Sequence, residues 1–484
     1  MDLLTFACIS CICVVSLLVK YMMRTSHDQA CYVLNYQCYK PTDDRKLNAD
    51  IGGNIIIRNK NLDLDDAKFM LKTLVRSGIS EETYVSRNII EAREDSTFLS
   101  DAIGELDEFF FDAIGKLLNN SHMLPSQIDV LVVNVSMFSS VPSLAARIIN
   151  HYKMRDDIKV YNLSGMGCSA SIVSMGIVKD VLKSMKNGLA MVVSSESIAP
   201  NWYRGRDKSM MIPNLLFRSG GCAILLTNNP NLRDKAKFKL NYLVRVHIGS
   251  DDEAYKYAMK MDDENGNAGV HISKSLPEAA AKAFSMNLKR LIPKILPLQE
   301  LIRFAIASSI SNVMNHYDKQ TIKNSNSSKT VKINFKSGVD HFCIHPGGAA
   351  VINGVGNSMG LNEHDLEPAR MALRRFGNTS ASGIWYVLGY MEAKRRLKKG
   401  EKVLIAGFGA GFKCNTCVLE VVRDLDLEEQ SVWKDCIGEY PINDLACNAF
   451  GEVYKWLESL GEDYLSFNAD NFQKLMREYY KEKN

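Results

Sequence analysis

The chain repeats itself, and that repetition restricts its possible folds more than any other feature. In the first half, S-Q-I-D-V-L-V-V-N begins at Ser126 and C-S-A-S-I begins at Cys168. In the second half, S-G-V-D-H-F-C-I-H begins at Ser337 and T-S-A-S-G-I begins at Thr379. Asp129 precedes Ser169 by 40 residues, and Asp340 precedes Ser380 by the same 40. Each S-A-S opens an apolar helical stretch that ends in lysines and a glycine, Gly188 or Gly400, and an apolar strand follows. Matching order at matching spacing implies an internal duplication packed about a pseudo-dyad. Strands read out at Ile128 to Val135, Lys159 to Leu163, Leu189 to Ser194, Cys222 to Thr227, Gly338 to Ile344 and Lys402 to Ala406. Helices are expected around Asp65 to Arg76 and Phe98 to Leu118. Alternating strands and helices predict a layered α/β protein.

At 484 residues the chain can bury a large core. A net charge of +4, with Lys and Arg dispersed and no basic–aromatic ladder, excludes a nucleic-acid partner. The 12 cysteines are scattered, which fits a reducing compartment better than a disulfide framework. Three of them lie in the uncharged run Leu3 to Val19. As a helix this run is about 26 Å long, enough for an endoplasmic reticulum bilayer core. A signal peptide would want basic residues ahead of the run, but Asp2 precedes it and Lys20 and Arg24 follow. The run therefore reads as a single membrane anchor with the body of the protein on the cytosolic side. The stretch Lys319 to Lys336 is rich in Lys, Asn and Ser and reads as an exposed loop.

The chemistry concentrates in four segments. In N-L-S-G-M-G-C-S-A, Cys168 follows a strand and two glycines and stands at the first turn of a helix. Unpaired N–H groups and the helix dipole there are expected to favour the nucleophilic thiolate. In H-F-C-I-H-P-G-G, His345 ends a strand, and His341 lies on the same face about 13 Å away. That separation is too long for direct ligation of one metal, and both histidines are candidate catalytic residues. In R-F-G-N-T-S-A-S, Asn378 is either a helix-capping or turn asparagine or a donor to a developing enolate or oxyanion. In G-F-G-A-G-F, the turn Gly409, Ala410, Gly411 can present backbone N–H groups to a thioester oxygen. It does not satisfy G-x-G-x-x-G, which argues against a nucleotide. Cys414-x-x-Cys417 has no second pair at zinc spacing and reads as part of a buried strand. A Cys, a His and an Asn in this order suit papain-like proteolysis or decarboxylative Claisen condensation. The protease signature is absent, and the duplicated α/β scaffold is wrong for it.

These segments, with C-Y-K-P at Cys38, N-W-Y at Asn201 and L-F-R-S-G-G at Leu216, closely resemble the plant-type very-long-chain 3-ketoacyl-CoA synthases. These are relatives of the chalcone synthases. The resemblance runs from Tyr32 to about Tyr440 and implies a thiolase-like, duplicated five-layer α-β-α-β-α fold behind an N-terminal transmembrane helix. The implied division is an anchor over 1–25, a Cys-bearing half over 26–235, a His- and Asn-bearing half over 236–425, and an extension over 426–484. The resemblance further implies that Cys168 carries the acyl group, that His345 and Asn378 hold the malonyl-CoA carbonyl, and that Gly409 to Gly411 help form an oxyanion hole. Phe217 resembles an aromatic gate between substrate channels. Long-chain acyl-CoA and malonyl-CoA are the implied substrates, with no metal or redox cofactor. A homodimer in the endoplasmic reticulum membrane is implied, beside a ketoacyl-CoA reductase, a dehydratase and an enoyl-CoA reductase. The chain departs from the family at Ser171, usually glycine, at Pro213, at Ala254 to Met261, in having one span instead of two, and in its longer tail. These departures leave two alternatives: a weakly active paralogue that scaffolds the elongation enzymes, or an enzyme like the type III polyketide synthases.

Overall fold

The computed structural model describes residues 29–94, 96–321, 333–442, 450–452 and 454–455. Its strands are β1 (Cys31–Tyr39), β2 (Val130–Val135), β3 (Lys159–Leu163), β4 (Leu189–Ser195), β5 (Gly221–Thr227), β6 (Phe238–His247), β7 (Ala258–Asp262), β8 (Ala268–Ile272), β9 (His341–Ile344), β10 (Lys402–Gly409) and β11 (Lys413–Val421). The helices that matter here are α1 (Leu64–Ser77), α2 (Leu99–Ser121), α3 (Leu144–Tyr152), α4 (Ala170–Leu182), α5 (Lys208–Leu216), α6 (Leu276–Ile295), α7 (Ala349–Met359) and α8 (Gly383–Ala393).

Nine strands form one mixed sheet in the order β3-β2-β4-β5-β1-β6-β11-β10-β9, with β7 and β8 apart as a hairpin. From the β1–β6 seam outward, both arms repeat one plan. An antiparallel pair is followed by a second antiparallel pair and then a parallel one: β1–β5, β5–β4 and β4–β2 on one side, β6–β11, β11–β10 and β10–β9 on the other. The seam itself is antiparallel, Cys31 facing Leu240 and Val33 facing Phe238, as a two-fold relation demands. The repeat extends to single atoms. The Asp129 carboxylate accepts from the N–H of Leu189, the first residue of β4, at 2.8 Å. The Asp340 carboxylate accepts from the N–H of Lys402, the first residue of β10, also at 2.8 Å. Each aspartate pins the start of the neighbouring parallel strand.

Strand residues alternate between two apolar environments, as the two-residue period of a pleated strand requires. On one face of the first arm, Leu131, Val133, Met191, Val193 and Leu225 pack with Leu106, Phe109, Phe110 and Ile114 of α2. On the other face, Val130, Val132, Val192 and Ile224 share a core with Ile172, Met175 and Val178 of α4. Helix α4 touches β2 and β4 of one arm and β6 and β11 of the other, while α8 touches β9 and β1. These two helices, the ones opened by the S-A-S segments, therefore lie between the arms. Helices α2 and α3 cover the first arm outside, and α6, joined by α7, covers the second. The layering is α-β-α-β-α.

The expected strands fall where the sequence placed them, with β9 shorter by three residues and β10 longer by three. Ser171 fills its place for a visible reason: its Oγ accepts from the indole N–H of Trp385 at 2.7 Å, tying α4 to α8 in the buried centre. Pro213 sits inside α5, directly before the segment that carries Phe217. Part of the expected extension is core. Trp433 is buried and donates from its indole N–H to the Tyr386 carbonyl at 2.9 Å, and Tyr440 packs edge-on against it. Of the loop expected at Lys319 to Lys336, the start continues the helix Leu298–Thr321, and 322–332 lie outside the described residues. The anchor expected at Leu3 to Val19 also lies outside them. Among the described residues no helix is long and apolar enough to cross a membrane.

Ser171→Gly should lower the unfolding free energy by about 1–3 kcal/mol, because it strands a buried indole N–H. Trp385→Phe added to Ser171→Gly should cost less than Trp385→Phe alone. Urea titration of the four proteins in this cycle checks both statements.

Candidate active site

Residues from both copies of the unit meet where the S-A-S turns face each other. Cys168 lies in a one-turn 3-10 segment, Gly167–Ser169, that runs into α4. The loop before it is stitched to the end of β2. Gly165 donates to the Ser136 carbonyl at 3.0 Å, and Gly167 donates to the Ser136 hydroxyl at 2.9 Å. Gly167 has φ +66°, and a Cβ there would stand 2.5 Å from the Ala410 nitrogen. A Cβ on Gly409 would stand 2.5 Å from the Met166 carbonyl oxygen. The Cys168 loop and the Gly409, Ala410, Gly411 turn thus touch backbone to backbone, and glycine is required on both sides.

Asn378 follows Gly377, which has φ +68°. Its N–H donates to the Leu216 carbonyl at 3.1 Å, and its carbonyl accepts from Arg218 at 3.0 Å. This short bridge sets Phe217 beside Asn378 in backbone register. Buried Arg218 fixes the segment further by donating to the Asn214 and Phe217 carbonyls. The Phe217 ring packs on an apolar cluster of Leu47, Ile55, Val85, Ile89 and Ile198. The Asn378 Oδ1 accepts from the Ser380 N–H at 2.9 Å, closing a local turn. The oxygen of Asn378 thus serves a turn and caps no helix, and its side chain acts on the Cys168 thiol to favour the anion. The Ser380 side chain acts in the same direction, from a residue held at φ +55°.

His345 ends β9, its N–H donating to the Ala406 carbonyl at 3.0 Å. The ring is buried, and among the described residues neither ring nitrogen has a hydrogen-bond partner. A Cβ on Gly383, the first residue of α8, would lie 3.4 Å from Nδ1, so the ring rests against the Asn378-bearing turn. Burial pulls its pKa down to about 4, which leaves the imidazole neutral at physiological pH. His341 does not join this group. It stands at the far end of β9, where its Nε2 bonds Glu401 at 2.9 Å. The strand that gives both histidines the same face also separates them by its length, so His341 is withdrawn as a catalytic residue.

The thiolate expectation for Cys168 is also corrected. Protein packed around the sulfur raises its pKa to about 11, chiefly through desolvation, against the opposing effect of Ser380 and Asn378. The Glu196 carboxylate pushes in the same upward direction. Glu196 escaped the sequence reading. It follows β4, the strand equivalent to β10, and accepts from the N–H groups of Met137 at 2.8 Å and Ser136 at 3.1 Å. The Ser380 hydroxyl donates to it at 3.4 Å. Burial raises its pKa to about 7. A lone acid directly after the S-S end of an otherwise apolar strand was the signal available. Cys414 and Cys417 are buried free thiols on β11, and among the described residues no cluster suits a metal ion.

The fold matches solved type III polyketide synthases. A fungal enzyme, ORAS, superposes with a TM-score of 0.62 at 18% identity, covering 81% of this chain and 99% of its own. CsyB in complex with CoA-SH gives 0.63 at 17%, covering 81% and 100%. The duplicated sheet, the two central helices and the site between them define a thiolase-like protein. Residues 22–313 match the model of the FAE1/type III polyketide synthase-like proteins, and 335–421 match that of the 3-oxoacyl-[acyl-carrier-protein] synthase III C-terminal region. The Arabidopsis thaliana protein 3-ketoacyl-CoA synthase 3 is 53% identical over 455 residues, 91% of this chain and 95% of that one. 3-ketoacyl-CoA synthase 12 of the same plant is 52% identical over 460 residues, 93% and 96% of the two chains. The chain belongs to the 3-ketoacyl-CoA synthases of the FAE1/type III polyketide synthase-like family.

The carboxyl of Glu196 is neutral well below pH 7 and charged above it, so its effect on the thiol should switch on as pH rises. Glu196→Gln should speed alkylation of Cys168 by iodoacetamide roughly tenfold at pH 8 and leave it unchanged at pH 5.5. Mass-spectrometric counting of the modified Cys168 peptide reads both rates.

Proposed function

We propose that the chain condenses malonyl-CoA with a long-chain acyl-CoA. The products are carbon dioxide, CoA and a 3-oxoacyl-CoA longer by two carbons, in very-long-chain fatty acid elongation. The observation that carries this reading is the meeting of the Cys168 thiol with the Asn378 amide and the Ser380 hydroxyl, beside a buried imidazole whose nitrogens have no partner among the described residues.

In the first half-reaction the Cys168 sulfur attacks the acyl-CoA carbonyl carbon. The C–S bond to CoA breaks, and the thiol proton ends on the departing CoA sulfur. One thioester replaces another. In the second, the neutral His345 N–H and the Asn378 Nδ2 donate to the thioester oxygen of malonyl-CoA. The electron pair of the breaking carboxyl bond enters the enolate as carbon dioxide leaves. The enolate carbon attacks the acyl group on Cys168. Backbone N–H groups of Cys168 and of the Gly409, Ala410, Gly411 turn hold the oxyanion, and the Cys168 thiolate is expelled. A buried site protects both the enolate and the acyl thioester from water. No step calls for a metal or a redox cofactor. Phe217 would gate access, a reading supported by its register with Asn378 and its packing on an apolar cluster.

The remaining parts of the reading concern setting. The uncharged run at Leu3 to Val19 would anchor the chain in the endoplasmic reticulum membrane with its body in the cytosol. Reductase, dehydratase and enoyl reductase partners would act on the product there. A homodimer is supported by β3, which ends the sheet among the described residues and exposes Val160.

Microsomes expressing the chain, given radiolabelled malonyl-CoA and a panel of long-chain acyl-CoAs, test the reading. Cys168→Ala should abolish both acyl loading and product. His345→Ala and Asn378→Ala should still load the acyl group but decarboxylate malonyl-CoA about a hundredfold more slowly or worse. No chain-extended product from any primer by the folded wild-type protein would contradict the assignment.

A further inference from the structure

Lys413 opens β11 directly after the glycine turn, and its side chain runs back under that turn. The residue is 7% exposed. Its ammonium donates to the Met166 carbonyl at 3.2 Å and to the Ala410 carbonyl. Met166 lies two residues before Cys168, and Ala410 is the residue against which Gly167 packs. The lysine therefore ties the nucleophile loop of one copy to the glycine turn of the other. Its charge is the unusual part. The buried Lys237 is matched by two carboxylates, Glu392 at 2.5 Å and Glu428 at 2.7 Å. Among the described residues Lys413 forms no ion pair, and carbonyl oxygens are its acceptors. A buried cation without an anion is costly and calls for one nearby. The group that can supply it is the Cys168 thiol, carried on the same loop two residues after the Met166 carbonyl that the ammonium bonds.

We propose that Lys413 is a positioning residue whose ammonium is the fixed counter-charge of the Cys168 thiolate and the clamp between the Cys168 loop and the Ala410 turn. This goes beyond the roles given above to Cys168, His345 and Asn378, and it rests on Cys168 being the acyl carrier. The thiolate arises twice in the cycle: when the thiol is activated toward acyl-CoA, and when it is expelled from the tetrahedral adduct. Lys413 keeps its proton throughout, and the thiol proton still ends on CoA. The other charged or titratable groups around the pair are few. Glu196 faces the sulfur from the end of β4 and opposes the thiolate. His247, facing Lys413 from β6, is held toward its neutral form by burial and by the lysine itself. His345 is neutral. In this proposal Lys413 favours the anionic sulfur and Glu196 opposes it. Its own pKa is lowered by burial, and a Cys168 anion would raise it again.

The test uses the full chain and alkylation of the Cys168 peptide by iodoacetamide between pH 6 and 11, with Cys168→Ala as the blank. Lys413→Gln keeps a donor for the carbonyls but no charge, and Lys413→Arg keeps the charge. Lys413→Gln should displace the alkylation profile upward by about one pH unit or more, whereas Lys413→Arg should stay close to wild type. An unmoved profile in Lys413→Gln, even with turnover lost, would leave only the clamp and overturn the counter-charge. Should Lys413→Gln fail to fold, Cys168→Asp against Cys168→Asn reads the same pairing with the lysine intact. The aspartate should melt higher at pH 8, and an equal or lower melting temperature would refute the proposal. Absence of acyl loading on Cys168 in the wild type would instead strike at the assignment of the nucleophile, an outcome separate from either result.

Discussion

The contact on which the rest depends is the backbone approach of the Cys168 loop to the Gly409, Ala410, Gly411 turn. One belongs to the first copy of the duplicated unit and the other to the second. Gly167 and Gly409 each leave no room for a Cβ, so the approach is set by the absence of two side chains. Much else secures it: the antiparallel seam of β1 and β6, the Trp385–Ser171 bond between the central helices, and the paired aspartates that start β4 and β10. A duplicated fold has few places where its copies differ usefully. The ends of the central strands are one, because nucleophile, imidazole and amide come from different loops and converge there.

At rest, burial keeps the thiol and the imidazole neutral, while the Lys413 ammonium lies beneath the glycine turn. The thiol is protonated, the imidazole neutral, and the one acid at the sulfur titrates near neutrality. Low polarity strengthens every donor aimed at a developing negative charge, and it makes premature ionisation expensive. A neutral imidazole donates to an enolate without leaving a buried cation when the enolate is consumed.

Much of this was legible in the sequence because the repeat carries its own register. The 40-residue spacing located both S-A-S turns, and thereby Cys168 and Asn378, while the strand-ending P-G-G located His345. His341 shows the limit of periodicity: alternation says which face a strand residue occupies but not which end of the sheet holds the chemistry. Cys168 shows the limit of local electrostatics. A single 3-10 turn offers a modest dipole, whereas desolvation by residues distant in sequence moves a pKa by units. Glu196 and Lys413 were missed for a related reason. Each looks ordinary beside its neighbours in the chain, and its meaning comes from what the opposite copy brings against it. The aromatic packing of Trp433 and Tyr440 likewise depends on α8, about fifty residues earlier in the chain, and no local pattern announces it.

The central claim is that the acyl group passes through Cys168. Incubating the full chain with a long-chain acyl-CoA and no malonyl-CoA, then mapping the peptides by mass spectrometry, tests it directly. The account predicts an acyl mass on the Cys168 peptide that hydroxylamine removes and that added malonyl-CoA discharges. An acyl group on another residue, or none on a folded protein that still elongates, would contradict it.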